Sequence, residues 1–214
     1  DRLAAQHGFA RGAPKSSEHA SAIASLLAGA GTAHIYGADV YGSDPAGGSA
    51  LAIAKALGWM AQQAVPVVSI SLVGPDNPLL ARTIAAARKK GIVVVAAVGN
   101  DGAAAPPAYP ASYPGVIAVT GVDGANRVLI EAGRAKHLDY AAPGADMSAL
   151  VPGKVRIELR VTSFAAPLAA SRIAARRASL PNAAKALEAV DTEAVYPSRR
   201  TGRGVVCNIC RSGL

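Results

Sequence analysis

The stretch GIVVVAAVGN, residues 91–100, decides the fold of this chain. Its apolar run is far shorter than the roughly 20 residues that a membrane-spanning helix needs. The β-branched residues between flanking glycines indicate a strand that is buried on both faces. Strands of this kind are typical of parallel sheets that are covered by helices on both sides.

Helical and strand patterns alternate on either side of this stretch. Helices are predicted at residues 17–28, 49–63, 76–90, 163–175 and 182–190. Strands are predicted at residues 33–41, 65–72, 92–98, 116–120 and 138–141. This alternation predicts an α/β fold with a mainly parallel sheet. Because ligands bind beyond the carboxyl ends of such strands, the loops after Leu72, Val98 and Ala141 are the expected place for chemistry.

The composition favours one globular domain over residues 1–214. Apolar residues make up 51% of the chain and charged residues 17%, which is enough to bury a sizeable core. The net charge is +8, and residues 171–214 hold eight Lys and Arg against three Asp and Glu. No nucleic-acid recognition signature accompanies this basic segment, so we predict a solvated surface and no nucleic-acid partner. No apolar run of about 18 residues exists, so no membrane span is predicted.

Three motifs stand in a fixed order: HASAIASLLAG at residues 19–29, VVVAAVGNDG at 93–102 and TSFAAP at 162–167. They resemble the HGTHVASIIAG, AAxGN and GTS[MF]A[AS]P motifs of the subtilisin-like serine peptidases, the subtilases. Four linking segments are similar to that family in the same order, at residues 35–42, 69–75, 113–119 and 141–144. The chain is therefore identified as a member of this family, which implies a three-layer fold with helices on both faces of the sheet.

The resemblance implies a serine endopeptidase that works through an acyl-enzyme. Ser163 would be the nucleophile and His19 the base that takes its proton, since a serine hydroxyl is a weak nucleophile without one. Asn100 would donate to the developing oxyanion. Substrate would run along Ser71, Leu72 and Val73 as an added strand, and its side-chain pocket would be lined by Ala97, Val98 and Gly99.

The largest departure from the family is the missing catalytic acid. Subtilases place an Asp in a D-[ST]-G context after their first strand, and residues 1–18 contain no such sequence. Asp1 resembles instead the second acid of a D-x-G-V-D run, so we predict that the first strand and its Asp lie outside this sequence. Loss of a strand inside the sheet would leave neighbouring edges unpaired and lower the stability. In subtilisin, the enzyme on which this cost was measured, loss of the Asp alone lowers turnover about 3 × 10⁴-fold, so this chain is expected to be a very slow peptidase.

Smaller departures concern the cleft and possible metal sites. Val161 replaces a family glycine, where it is expected to crowd the substrate or to strain the backbone. Val73 replaces a cleft glycine and is expected to narrow the pocket mouth. Residues 30–33 are shorter than a family loop that often carries calcium, so we predict no calcium there, no other metal and no cofactor. Cys207 and Cys210 predict either a small-loop disulfide or two free thiols.

Two alternatives remain from the sequence. The absent Asp and Val161 also fit a catalytically inactive subtilase-like module that binds peptides or serves as a scaffold. A nucleotide-binding α/β domain would need a G-x-G-x-x-G after a strand, which is absent, and residues 37–42 lack the Lys-Ser/Thr of a P-loop. The family further implies polypeptide substrates, an inhibitory propeptide and a secreted or periplasmic location.

Overall fold

A computed structural model describes residues 2–31, 33–43 and 48–213 of the chain. The helices are α1 (Glu18–Ala30), α2 (Ala50–Gln62), α3 (Pro78–Lys89), α4 (Thr162–Ser179) and α5 (Ala183–Asp191), followed by a short 3-10 turn (Asn208–Gly213). The strands are β1 (Leu3–Gly8), β2 (Ile35–Asp39), β3 (Val67–Ile70), β4 (Val93–Ala97), β5 (Ile117–Val122), β6 (Tyr140–Pro143), β7 (Met147–Val151) and β8 (Lys154–Leu159). All five predicted helices and all five predicted strands are present, with ends shifted by a few residues.

The main sheet contains four parallel strands in the order β3-β4-β5-β6. Alternate residues of β4 point to opposite faces, as its continuous apolar sequence predicts. Val93, Val95 and Ala97 join the core beneath α1 and α4. Val94 and Ala96 join the core beneath α2 and α3. The predicted three-layer α/β fold with a mainly parallel sheet is therefore confirmed.

A second parallel pair, β1 and β2, is separate from this sheet. The sequence analysis missed β1, because its exposed residues Gln6 and His7 break the apolar pattern. Among the described residues, β2 pairs only with β1, and β3 pairs only with β4. One edge of β2 and one edge of β3 thus have no strand partner among these residues.

An antiparallel hairpin, β7 and β8, was also not predicted. The hairpin packs on α1, where the backbone N–H of Leu150 donates to Ser25 Oγ at 3.2 Å. Helix α4 follows it and runs under the whole main sheet. The hairpin therefore delivers the chain to the start of α4, at the carboxyl ends of the strands.

The last part of the chain covers the edge of β6. The backbone of Ala141 accepts from Val206 at 2.8 Å and donates to Gly204 at 2.9 Å. Arg203 pairs with Asp139 at 2.9 Å and with Asp191 at 3.2 Å, which holds this segment in place. Cys207 and Cys210 form a disulfide, which decides between the two predicted states.

Candidate active site

Ser163 is the second residue of α4, at the carboxyl ends of the main-sheet strands. Its side chain is buried, with 9% of the residue exposed. The first turn of a helix presents unpaired N–H groups and the positive end of the helix dipole. A negative charge that develops beside Ser163 is therefore stabilised by the position of the residue alone.

Thr162 joins the start of α4 to the loop after β4. Its backbone N–H donates to Asn100 Oδ1 at 2.9 Å. Its hydroxyl lies 3.0 Å from the same oxygen and 3.0 Å from the Gly99 carbonyl oxygen, and its single proton is shared between these two acceptors. Because Oδ1 faces Thr162, the Nδ2 group of Asn100 points away from it. Among the described residues, no acceptor is seen for Nδ2.

His19 lies in the first turn of α1, where Ser17 Oγ caps the helix by accepting from the Ala20 N–H at 3.1 Å. Helix α1 packs along α4, and the His19 ring lies 5.4 Å from the ring of Phe164, centroid to centroid. His19 thus contacts the residue next to Ser163, 144 positions later in the chain. Desolvation lowers the pKa of the His19 ring below its ordinary value of 6.5, so the ring is neutral at neutral pH and can accept a proton.

No carboxylate of the described residues hydrogen-bonds or pairs with His19. Asp39, at the end of β2, instead accepts backbone N–H bonds from Lys15, Tyr41 and Gly42 at 2.7 to 3.0 Å. These bonds lower the pKa of Asp39 against the opposing effect of desolvation, which raises it. Asp1, which the sequence analysis compared with a family acid, lies outside the described residues. His19 and Ser163 are not hydrogen-bonded to each other, and such catalytic bonds are often long without substrate.

Of the predicted cleft residues, Ser71 contacts Ser163 directly. The segment Ser71-Leu72-Val73 follows β3, and the Ser71 hydroxyl donates to the Ser163 carbonyl at 2.8 Å. The side chains of Ala97 and Val98 pack into the two cores, so they offer the cleft mainly their backbone.

Gly99 and Val73 are close neighbours. Gly99 has a positive φ of 86°, and a Cβ on it would come within 3.3 Å of Val73 Cγ1. Val73 is 46% exposed, so it lies at the surface.

The expectation that Val161 strains the backbone is wrong. Its φ of −172° and ψ of 164° are extended backbone that any residue adopts. Its N–H donates to the Gly144 carbonyl at 2.8 Å, and its side chain packs against the core beneath α4. Valine is therefore compatible with the start of the helix.

Within the described ranges, no cluster of three His, Cys, Asp or Glu side chains could hold a metal. The shortened loop at residues 30–33 includes Thr32, which lies outside those ranges, so the absence of calcium stays a prediction. No helix in these ranges is long and apolar enough to cross a membrane.

Sequence reasoning missed three contributors to this site. They are the hydrogen bonds of Thr162 to Asn100, the contact of Phe164 with His19, and the hydroxyl of Ser71. All three are side-chain contacts between segments far apart in the chain. The adjacency of Thr162 and Phe164 to the predicted nucleophile was the available signal, but the partners could not be read without the fold.

The chain is similar to known proteases in sequence and in fold. A model described as the subtilase family matches residues 6–197. Subtilisin BL of Lederbergia lenta is 33% identical over 143 residues, which cover 66% of this chain and 52% of that protein. The major intracellular serine protease of Bacillus subtilis strain 168 is 35% identical over 133 residues, which cover 60% of this chain and 42% of that protein. The chain thus spans about half the length of these relatives.

Solved structures show the same fold. A variant of the protease domain of PatA superposes with a TM-score of 0.83 at 20% identity, covering 99% of this chain and 87% of that one. A lanthipeptide protease superposes with a TM-score of 0.81 at 17% identity, covering 92% of this chain and 75% of that one. From its motifs, its fold and the match over residues 6–197, the chain belongs to the subtilase family of serine proteases.

Proposed function

We propose that this chain carries the nucleophile, the base and the oxyanion donor of a serine endopeptidase. The observation that supports this most is the meeting of three distant segments at the start of α4. Asn100 binds Thr162, and His19 contacts Phe164. Ser163 lies between Thr162 and Phe164 in the chain.

In the proposed reaction, Ser163 Oγ attacks the carbonyl carbon of a peptide bond while His19 takes the hydroxyl proton. The oxyanion of the tetrahedral intermediate accepts from Asn100 Nδ2 and from the N–H groups at the start of α4. The intermediate expels the amine, which receives the proton from His19, and leaves an acyl-enzyme. Water then attacks the ester with His19 again as base, releasing the acid and restoring Ser163.

The catalytic acid is the part of this machinery that the described residues do not supply. We infer that it comes from an additional strand that pairs with the free edges of β2 and β3. A parallel strand there would end at the same side of the sheet as β3 and β4, where His19 and Ser163 lie. A carboxylate at its end would orient the imidazole and stabilise its protonated form.

Val73 makes the cleft suited to small side chains. Its methyl groups stand over Gly99, where the pocket would open. Replacing Val73 with Gly is expected to broaden cleavage toward larger residues before the scissile bond, measured on a mixed peptide library by mass spectrometry. An unchanged preference would contradict this role.

The test of the whole proposal is labelling by a fluorophosphonate, which modifies only an activated serine. We expect an adduct on Ser163, none after Ser163→Ala, and an undiminished adduct after Ser171→Ala, a control two turns further along α4. Asn100→Ala should slow labelling by about 10²–10³-fold, the usual cost of one oxyanion donor. A folded protein without a Ser163 adduct would instead support the inactive peptide-binding or scaffold module.

The wider setting is also a proposal. Polypeptide substrates follow from the family, whereas export and an inhibitory propeptide are expectations that the relatives' names do not decide, since one of them is called intracellular. Mass spectrometry of culture medium and cell extract from the source organism would locate the protein, and its mature start would reveal a removed segment.

A further inference from the structure

We infer that the Ser71 hydroxyl positions the nucleophile by supplying the hydrogen bond that Pro167 removes from the Ser163 carbonyl. This inference rests on the proposed function of Ser163. It concerns the side chain of Ser71, whereas the substrate-binding role predicted for residues 71–73 concerns their backbone.

Pro167 lies inside α4, four residues after Ser163. In a regular helix, the N–H of residue 167 would donate to the carbonyl of residue 163. Proline has no N–H, and its ring also pushes against the carbonyl four residues earlier. The Ser163 carbonyl therefore loses its helical donor at a place where the helix is buried.

The Ser71 hydroxyl fills this gap. Its Oγ lies 2.8 Å from the Ser163 carbonyl oxygen and comes from the segment after β3, 92 residues away in sequence. A buried carbonyl without a donor costs about 1–3 kcal/mol, so this contact has a reason to persist.

The backbone around Ser163 is thereby held from outside the helix on both sides. Before the serine, the Thr162 N–H donates to Asn100 and the Val161 N–H donates to Gly144. After it, the carbonyl accepts from Ser71. These contacts set the direction in which Oγ leaves the chain, and a misplacement of about 1 Å at such a site can cost about 10²-fold in rate.

The test compares the rate of fluorophosphonate acylation in the unchanged protein and in five variants of the whole chain. We expect Ser71→Ala to lower the maximal rate of acylation at least tenfold with little change in reagent affinity, because the hydroxyl holds Ser163 and does not bind the reagent. Ser71→Thr keeps a hydroxyl and should retain most of the rate. Ser171→Ala, which removes another serine hydroxyl that donates to a carbonyl of α4, should leave the rate unchanged.

Pro167→Ala supplies the decisive comparison. Alanine restores the N–H at residue 167, so the Ser163 carbonyl regains a helical donor and no longer depends on Ser71. We expect Ser71→Ala to slow acylation at least tenfold with Pro167 present, and less than threefold in the Pro167→Ala background. A purely structural role for Ser71 would give the same factor in both backgrounds.

The possible failures are distinguishable. If the unchanged protein acylates Ser163 and Ser71→Ala has no effect, or has equal effects in both backgrounds, the positioning role is wrong and the proposed function stands. If the unchanged, folded protein does not acylate Ser163 at all, the proposed function is wrong and the positioning role falls with it. Thermal unfolding of each variant identifies a fold defect, and Ser71→Thr then decides whether the hydroxyl is what matters.

Discussion

The main sheet and the β1-β2 pair are both parallel, but they differ in how far they are covered. Every residue of β4, β5 and β6 is buried, whereas β1 and β2 contain no fully buried residue. The main sheet has helices on both faces. The pair contacts Trp59 of α2 through the exposed His7 ring at 5.7 Å and the half-buried Tyr36 ring at 6.1 Å, centroid to centroid.

The two outer edges of the main sheet also differ. The edge of β6 is covered by residues 204–206, which Arg203 holds through two carboxylates. The edge of β3 has no strand partner among the described residues, and Ser69 Oγ on this strand is buried without a hydrogen-bond partner. The proposed nucleophile and oxyanion donor thus stand beside the covered strands, and the edge of β3 is where the proposed additional strand would pair.

The difference between these two regions would change most if an additional strand paired with the free edge of β3. An N-terminal extension that supplies a strand ending in Asp-Ser-Gly should raise the acylation rate of Ser163 by up to about 10⁴-fold, since that is the usual contribution of the acid. The measurement is the fluorophosphonate rate constant. The same extension with Asn in place of Asp should stabilise the fold but leave the rate low, and equal rates from the two extensions would refute the proposed place of the acid.

A matched pair of leucine substitutions compares the main sheet with the β1-β2 pair directly. Leu168 is fully buried beneath the main sheet, while Leu3 on β1 is 51% exposed. Leu168→Ala should lower the free energy of unfolding by about 2–5 kcal/mol, and Leu3→Ala by less than about 1 kcal/mol. Urea unfolding followed by circular dichroism measures both, and similar losses would mean that β1 is as firmly packed as the main sheet.

Hydrogen exchange should show the same difference without substitutions. We expect the amides of Val94 and Val95 to exchange only through global unfolding. Those of Tyr36 and Ala38 should open about 1–2 kcal/mol more easily, because fewer buried contacts hold β2. Equal protection of the two strands, measured by NMR, would show that they unfold as one unit.

The smallest expected effect concerns the pH dependence of the base. Burial lowers the pKa of His19, so acylation should rise with pH through a midpoint below 6.5. Phe164→Ala uncovers the ring, which should raise the pKa and move this midpoint upward toward 6.5. An NMR titration of the His19 ring measures the pKa directly, and a midpoint that moves downward would contradict burial as the cause.

The sequence was sufficient for the elements with strong local signals. The apolar run at residues 91–100 predicted β4, because burial on both faces leaves no polar position in a strand. The order of the motifs around His19, Asn100 and Ser163 predicted the family. By contrast, β1 and the β7-β8 hairpin were missed, since half-exposed and exposed strands have patterns that resemble loops.

The chain's residue order by itself predicted the parallel sheet, its covering helices and the family to which the chain belongs. Only the tertiary structure decided that Val161 is unstrained, that Thr162 orients Asn100, and that Ser71 reaches the carbonyl that Pro167 leaves without a helical donor. The reason is physical: hydrophobic periodicity depends on neighbours a few residues apart, whereas a hydrogen bond across 92 residues depends on how the whole sheet is folded.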